Sequence, residues 1–143
     1  MDQQQMMSYH GQFKLWQENQ LILAEIHGAW SVDTAQDYAI QLKQLVQSMN
    51  GQPWARIVYL DHWQLGTPDF EKVMQDLMKW CVLHQLKYTA YVFHPNIMKE
   101  HQLDKFINSA DYNKKIFTKQ QEAFDWLTSV GFPAASQSVQ SCY

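Results

Sequence analysis

Arginine and cysteine are scarce in this sequence of 143 residues, which carries a formal net charge of −3. Arg56 is its single arginine. Arginine clamps phosphates and reads guanine in nucleic-acid-binding proteins, so the composition excludes a basic protein of that class. Cys81 and Cys142 form no Cys-x-x-Cys or Cys/His spacing. The cysteines therefore support neither a zinc site nor a disulfide scaffold, and no metal is expected from them.

Long apolar runs are absent as well. The longest runs, such as 21–24 and 57–60, are far too short to span a bilayer. The first residues show neither the basic region nor the apolar core of a signal peptide. We therefore expect no membrane span and a cytoplasmic protein.

Glutamine and apolar residues fill the composition instead. Hydrophobic residues make up 46% of the chain and charged residues only 17%. A chain of this length can bury a hydrophobic core without help from a disulfide or a metal ion. Its length also predicts one domain. The pattern predicts a flexible N-terminus over residues 1–10, the domain over residues 11–133, and a disordered Ser/Gln-rich tail over residues 134–143.

Apolar periodicity and turn residues predict five strands and four helices in the order β-β-α-β-α-β-α-β-α. Strands that alternate with helices imply a largely parallel sheet, and the first hairpin makes it mixed, so the fold class is α/β. Ser31 and Asp33 compete as the cap of the first helix. The expected strands are 13–15, 21–28, 55–61, 88–94 and 115–118, and the later helices begin at Pro68, 97 and 120.

This order of elements resembles the STAS domain, the sulfate-transporter and anti-sigma-antagonist fold, and is most similar to its SpoIIAA-like branch. Three segments carry the resemblance: Gly28-Ala29-Trp30-Ser31, the central strand 56–61, and Phe117–Leu127 with its Ala-x-x-Trp-Leu helix. The resemblance implies a non-enzymatic module that binds a protein partner or a small apolar or anionic ligand. It implies no cofactor.

Thr67 is the residue to which the resemblance gives a phosphoacceptor role. Phosphorylatable STAS proteins carry an Asp-Ser-Ser/Thr-Gly type segment here, whereas this chain reads Gln64-Leu65-Gly66-Thr67-Pro68-Asp69. The Asp-Ser pair is missing. Thr67 before Pro68 and Asp69 is also a suitable helix cap, and this interpretation explains the whole segment.

Histidines follow three of the predicted strands. They are His27, His62 beside Asp61, and His94. Ligands of open α/β sheets bind outside the carboxyl ends of the strands, so these residues, together with Glu25, are candidates for a general base or metal ligands. The simpler interpretation is that they are half-exposed and satisfy loop carbonyls.

An apolar row begins just after the central strand. Phe70, Met74 and Met78 recur every four residues on one helical face, and Trp63 precedes them. This row looks wider than a sheet-facing stripe needs, so it predicts either a lid over an apolar ligand or a homodimer contact. The competing interpretation is ordinary core packing.

No Walker A, GxGxxG, GxSxG or HExxH motif is present. The sequence therefore predicts a non-enzymatic binding or protein-interaction module. The alternative is a small hydrolase or lyase that uses His27, His62 and His94 with Asp61.

Overall fold

The structure, a computed structural model, describes residues 11–135. Its strands are β1 (Gln12–Glu18), β2 (Leu21–Trp30), β3 (Trp54–Tyr59), β4 (Trp63–Gly66), β5 (Leu86–Val92) and β6 (Asn113–Phe117). Its helices are α1 (Val32–Gln47), α2 (Pro68–Leu83), α3 (Ile97–Ile107) and α4 (Gln120–Ser129). The predicted N-terminus 1–10 and residues 136–143 of the predicted tail 134–143 lie outside the described residues.

The sheet has the strand order β1-β2-β3-β5-β6, with β4 paired to the end of β2. The β1–β2 hairpin is antiparallel and every other pair is parallel, which confirms the predicted mixed, mostly parallel α/β fold. From β2 to β6 the order advances in one direction. The described strands therefore show no reversal of order, which is the place where doubly wound sheets open a ligand crevice.

The helices cover the two faces of the sheet unequally. All six residues of β3 are buried, as expected of a strand covered on both sides. One face packs against α1, α2 and α3 and forms the larger core. The other face packs mainly against α4, through Ala123, Phe124 and Leu127. Within the described part of the chain, no helix is both long enough and apolar enough to cross a membrane.

Two expectations about β2 and the segment after β3 are wrong. β2 was expected to stop at Gly28, but it continues to Trp30 because Gly28 accommodates a φ of 75°. No strand is predicted over residues 63–66, but they form β4, which pairs with β2 at Gly28 and Trp30. This extra pairing adds a sixth strand and fixes the edge of the sheet where the candidate site lies.

The packed part of the chain extends slightly beyond the predicted domain end. Ala134 packs against the smaller core. The backbone N–H of Ala135 donates a hydrogen bond to a carboxylate oxygen of Glu18 at 3.1 Å. Residues 134 and 135, the first two of the predicted tail, therefore contact the domain, and the domain boundary stays a prediction.

Candidate functional site

The carboxyl ends of β2 and β3 bring two of the predicted histidines together. The His27 and His62 rings are stacked, with centroids 5.3 Å apart and planes inclined by 4°. Gly28 donates its backbone N–H to the carbonyl of His62 at 2.9 Å, which holds the two segments side by side. Nε2 of His27 also lies 3.5 Å from a carboxylate oxygen of Glu25.

His94 pairs with Asp61 instead. Oδ1 of Asp61 accepts the backbone N–H of His94 at 2.8 Å and lies 3.1 Å from its ring Nδ1. Partial burial alone would raise the pKa of Asp61, but the hydrogen bonds from His94 and the nearby Lys99 ammonium lower it below its ordinary value. Asp61 is therefore a carboxylate at neutral pH.

Lys99 attaches the first turn of α3 to the end of β3. Its ammonium donates hydrogen bonds to the carbonyls of Leu60 at 2.7 Å and Asp61 at 3.0 Å. Asn96 caps the helix by accepting the backbone N–H of Lys99. These bonds fix the orientation in which the first turn of α3 is presented to solvent.

Some of these side chains lie in an open cleft of about 400 Å³. The cleft is lined by Lys14, Glu25, Ile26, His27, Tyr59, Asp61 and His62. His94 is not among these lining residues. The three histidines therefore divide between two pairs, His27 with His62 and His94 with Asp61, rather than forming one cluster. Among residues 11–135, no group of three or more His, Cys, Asp and Glu side chains is arranged to hold a metal ion.

The apolar row faces inward. Trp63, Phe70, Met74 and Met78 are all buried in the larger core, so their interpretation as a surplus exposed face is wrong. The reason is that α2 is covered by α1 and α3 as well as by the sheet, which widens the stripe that it buries. Trp63 and Met74 do line a small internal cavity, and their role toward a ligand stays a prediction.

Thr67 occupies the cap position of α2, but its side chain makes no capping hydrogen bond. The expected position is therefore right and the expected capping bond is wrong. Thr67 is exposed, as a phosphoacceptor must be, and its phosphorylation stays a prediction.

We expect Thr67→Ala to change the free energy of unfolding by no more than about 0.5 kcal/mol, as for other surface positions. Ser31→Ala is the matched control, because the Ser31 hydroxyl accepts the backbone N–H of Thr34 at the start of α1. That variant is expected to lose about 0.5–2 kcal/mol. Urea denaturation of both variants measures the difference, and equal losses would contradict the absence of a cap bond at Thr67.

Sequence reasoning missed Arg56 as a site residue. Arg56 lies in the middle of β3 and is only 2% exposed. With Trp63, Tyr38 and Tyr91, it lines an internal cavity of about 30 Å³ between the sheet and helices α1–α3. The signal was present in the sequence, because a charged residue inside a strand that is buried on both faces has no route to solvent.

The structure is a single mixed sheet with three helices on one face and one on the other. Comparison with solved structures shows that this is a SpoIIAA-like fold. An uncharacterized protein of the DUF3478 family with a SpoIIAA-like fold, from Shewanella loihica PV-4, matches 83% of this chain and 94% of its own, with a TM-score of 0.61 and 11% identity.

The anti-sigma factor antagonist SpoIIAA in its unphosphorylated form matches 82% of this chain and 98% of its own, with a TM-score of 0.57 and 9% identity. The Bacillus cell fate determinant SpoIIAA in its phosphorylated form matches 81% of this chain over 99% of its own length, with a TM-score of 0.56 and 9% identity. No protein-family model and no curated protein matches the sequence.

Proposed function

We propose that this chain is a non-enzymatic protein-interaction module that binds a partner protein at the carboxyl ends of its strands. The contact surface would be the strand-end rim, which we define as His27, Asp61, His62, His94, Ile97 and Met98. Support comes first from the fold, which is shared with a protein described as an anti-sigma factor antagonist. An antagonist of that kind acts on other proteins.

The observation that carries the proposal is the exposure of Ile97 and Met98. These side chains are 86% and 64% exposed in the first turn of α3. That turn is held by Lys99 and Asn96, so the backbone that carries the two apolar side chains has a fixed orientation. Methionine is enriched in protein interfaces, and a backbone that is already ordered loses little entropy on binding. The expected partner surface is therefore apolar, with polar groups that face the histidine and aspartate side chains.

Met98→Glu is expected to weaken partner binding at least about tenfold, because binding would bury the new carboxylate. Leu83→Glu is the matched control. Leu83 is 80% exposed at the end of α2, where the chain enters β5, so it lies at the opposite edge of the sheet. Proteins captured from the source organism by the wild type and both variants are quantified, and the candidate is then purified for titration.

The proposal is supported if one captured protein is lost with Met98→Glu and retained with Leu83→Glu. The purified protein must then also bind the wild type and Leu83→Glu more tightly than Met98→Glu. Retention by both variants would contradict the proposal. Size-exclusion chromatography tests whether a second copy of this chain occupies the surface instead. In that case the wild type is a dimer and Met98→Glu is a monomer.

The Asp61–His94 pair favours a second candidate, the small hydrolase or lyase. A carboxylate that orients one ring nitrogen of histidine leaves the other to exchange a proton with a substrate. The pairing of His27 with His62, away from His94, weakens this candidate. Moreover, the described lining of the cleft contains no serine, threonine or cysteine to act as nucleophile. A turnover in a broad substrate screen that folded His94→Ala loses would overturn the non-enzymatic proposal.

A further inference from the structure

Arg56 carries a buried charge that no acidic residue within the stretch 11–135 balances through an ion pair. Its Nη2 donates a hydrogen bond to the Tyr91 hydroxyl at 3.1 Å and lies 3.3 Å from the sulfur of Met78. None of the ion pairs among the described residues includes it. Guanidinium groups stay protonated in proteins, and an isolated buried charge is strongly unfavourable.

The neighbouring groups that could ionise do not supply the missing negative charge. They are the hydroxyls of Tyr38, Tyr91 and Tyr112 and the thiol of Cys81. Burial raises the pKa of Tyr38 and of Tyr91, although Arg56 acts in the opposite direction. Burial likewise raises the pKa of Cys81 to about 11, and that of Tyr112 also lies above its ordinary value because the group is buried. All four are therefore neutral at pH 7.

Two buried N–H groups at the cavity are also without a hydrogen-bond partner among the described residues. They are Nε of Arg56, from β3, and Nε1 of Trp63, from β4, and both side chains line the cavity of about 30 Å³. Thr89, which pairs with Arg56 in the sheet register, has a buried hydroxyl that likewise lacks a partner. Unpaired buried polar groups are rare in folded proteins, so the two N–H groups from the side chains that line this cavity call for an occupant.

The donors and the walls of the cavity together define the chemistry of that occupant. Two N–H donors and a positive charge suit the oxygens of an anion, since hydrogen bonds between charged groups are the strong ones. The remaining lining is mostly apolar and includes Ile26, Met74, Leu103 and Phe106, which suits a short alkyl group. A volume of about 30 Å³ admits only a few heavy atoms, because about 10–15 Å³ by the same measure holds one water.

We propose that the Arg56 cavity is a binding site for a small monocarboxylate of formate or acetate size, whose oxygens accept hydrogen bonds from Arg56 and Trp63 and whose alkyl end lies against the apolar wall. The site is internal and involves neither Ile97 nor Met98. Its occupancy therefore does not depend on the partner surface proposed above.

The experiment titrates sodium formate, acetate, butyrate and chloride into protein equilibrated in sodium gluconate, at constant ionic strength. Gluconate is too large for the cavity and serves as the reference anion. Two readouts are followed, the thermal midpoint and the indole N–H resonances of the six tryptophans. The Trp63 resonance is assigned from its loss in Trp63→Phe.

Formate or acetate is expected to raise the midpoint saturably, by roughly 5–10 °C at a hundredfold excess over its Kd. It should also shift the Trp63 resonance. Trp63→Phe removes one donor and is expected to weaken binding at least about tenfold. Arg56→Met should abolish the anion dependence and still fold, because an apolar side chain of similar length replaces an uncompensated buried charge.

Trp54→Phe is the matched control. Trp54 is also fully buried, but its Nε1 already donates to the carbonyl of His84 at 2.7 Å. This variant should keep the full response to acetate. Should Arg56→Met fail to fold, Trp63→Phe and Trp54→Phe still decide the question.

Three outcomes would overturn the proposal. No effect of any anion beyond gluconate would mean that the cavity holds water only. A response to chloride without one to formate or acetate would assign the site to a halide. If formate or acetate raised the thermal midpoint equally in the wild type and in Trp63→Phe, the rise would be a general salt effect.

Discussion

Replacing Trp30 with alanine is expected to lower the free energy of unfolding by about 3–5 kcal/mol, the range for large aromatic residues in cores. Trp30 is only 2% exposed. Its ring contacts three aromatic residues from different elements, Phe13, Tyr38 and Phe70, with centroids 5.8, 5.3 and 6.1 Å away. Its indole N–H also donates to the carbonyl of His27 at 3.0 Å. The substitution therefore opens a cavity where β1, β2, α1 and α2 meet.

Trp80→Ala is the control for the loss of an indole as such. Trp80 lies half-buried on α2, stacked on His84 with a centroid distance of 3.9 Å. A loss of roughly 1 kcal/mol is expected there, as for an average substitution. Urea denaturation followed by circular dichroism measures both variants. If Trp30→Ala lost no more than Trp80→Ala, Trp30 would not have the central packing role assigned to it.

The same region shows why part of the fold could be predicted from the sequence. The helices have regular apolar spacing and recognisable caps or stops, and β3 ends in the continuous apolar run 57–60. These are local signals, and they gave the correct order of the long elements. β4 has no such signal. It has four residues, one of them Leu65 with a φ of 71°, and it is a strand only because it pairs with β2.

The candidate site, like the fold, could be predicted only in part from the sequence. The topology of parallel strands predicted that His27, Asp61, His62 and His94 lie at one edge. Which residue pairs with which depends on loop contacts, such as the bond from Gly28 to His62, that the sequence does not encode locally. The width of the buried stripe on α2 depends on how many neighbours cover that helix. Arg56 is different, since its burial could have been derived from the pattern of β3 alone.

Gly66 gives the second large effect, and its cause is space rather than backbone conformation. A Cβ built on Gly66 would lie 2.5 Å from Cδ2 of Phe70 and 2.6 Å from its Cγ. The φ angle of Gly66 is not positive, so its backbone would accept other residues. We expect Gly66→Ala to lower the free energy of unfolding by about 1–3 kcal/mol, the usual loss on overpacking a core.

Neither partner in this clash has room to move. The Phe70 ring is enclosed by Trp30, Trp63 and Phe106, all with centroids within 6.1 Å. The Gly66 backbone is held by the side chain of Gln102, which accepts its N–H at 2.7 Å and donates to its carbonyl at 2.8 Å. A shift that relieved the clash would break these hydrogen bonds between β4 and α3.

Gly51→Ala separates the two possible effects of replacing a glycine. A Cβ on Gly51 meets nothing within 4 Å, but its φ is 77°, so only strain of about 1 kcal/mol is expected. The double variant Gly66→Ala/Phe70→Leu tests the clash directly. Since the smaller side chain removes the clashing ring, the loss in the double variant should be well below the sum of the two single losses. Additive losses in urea denaturation would show that Phe70 does not limit the space at Gly66, and that the close packing of β4 on α2 is not what requires glycine there.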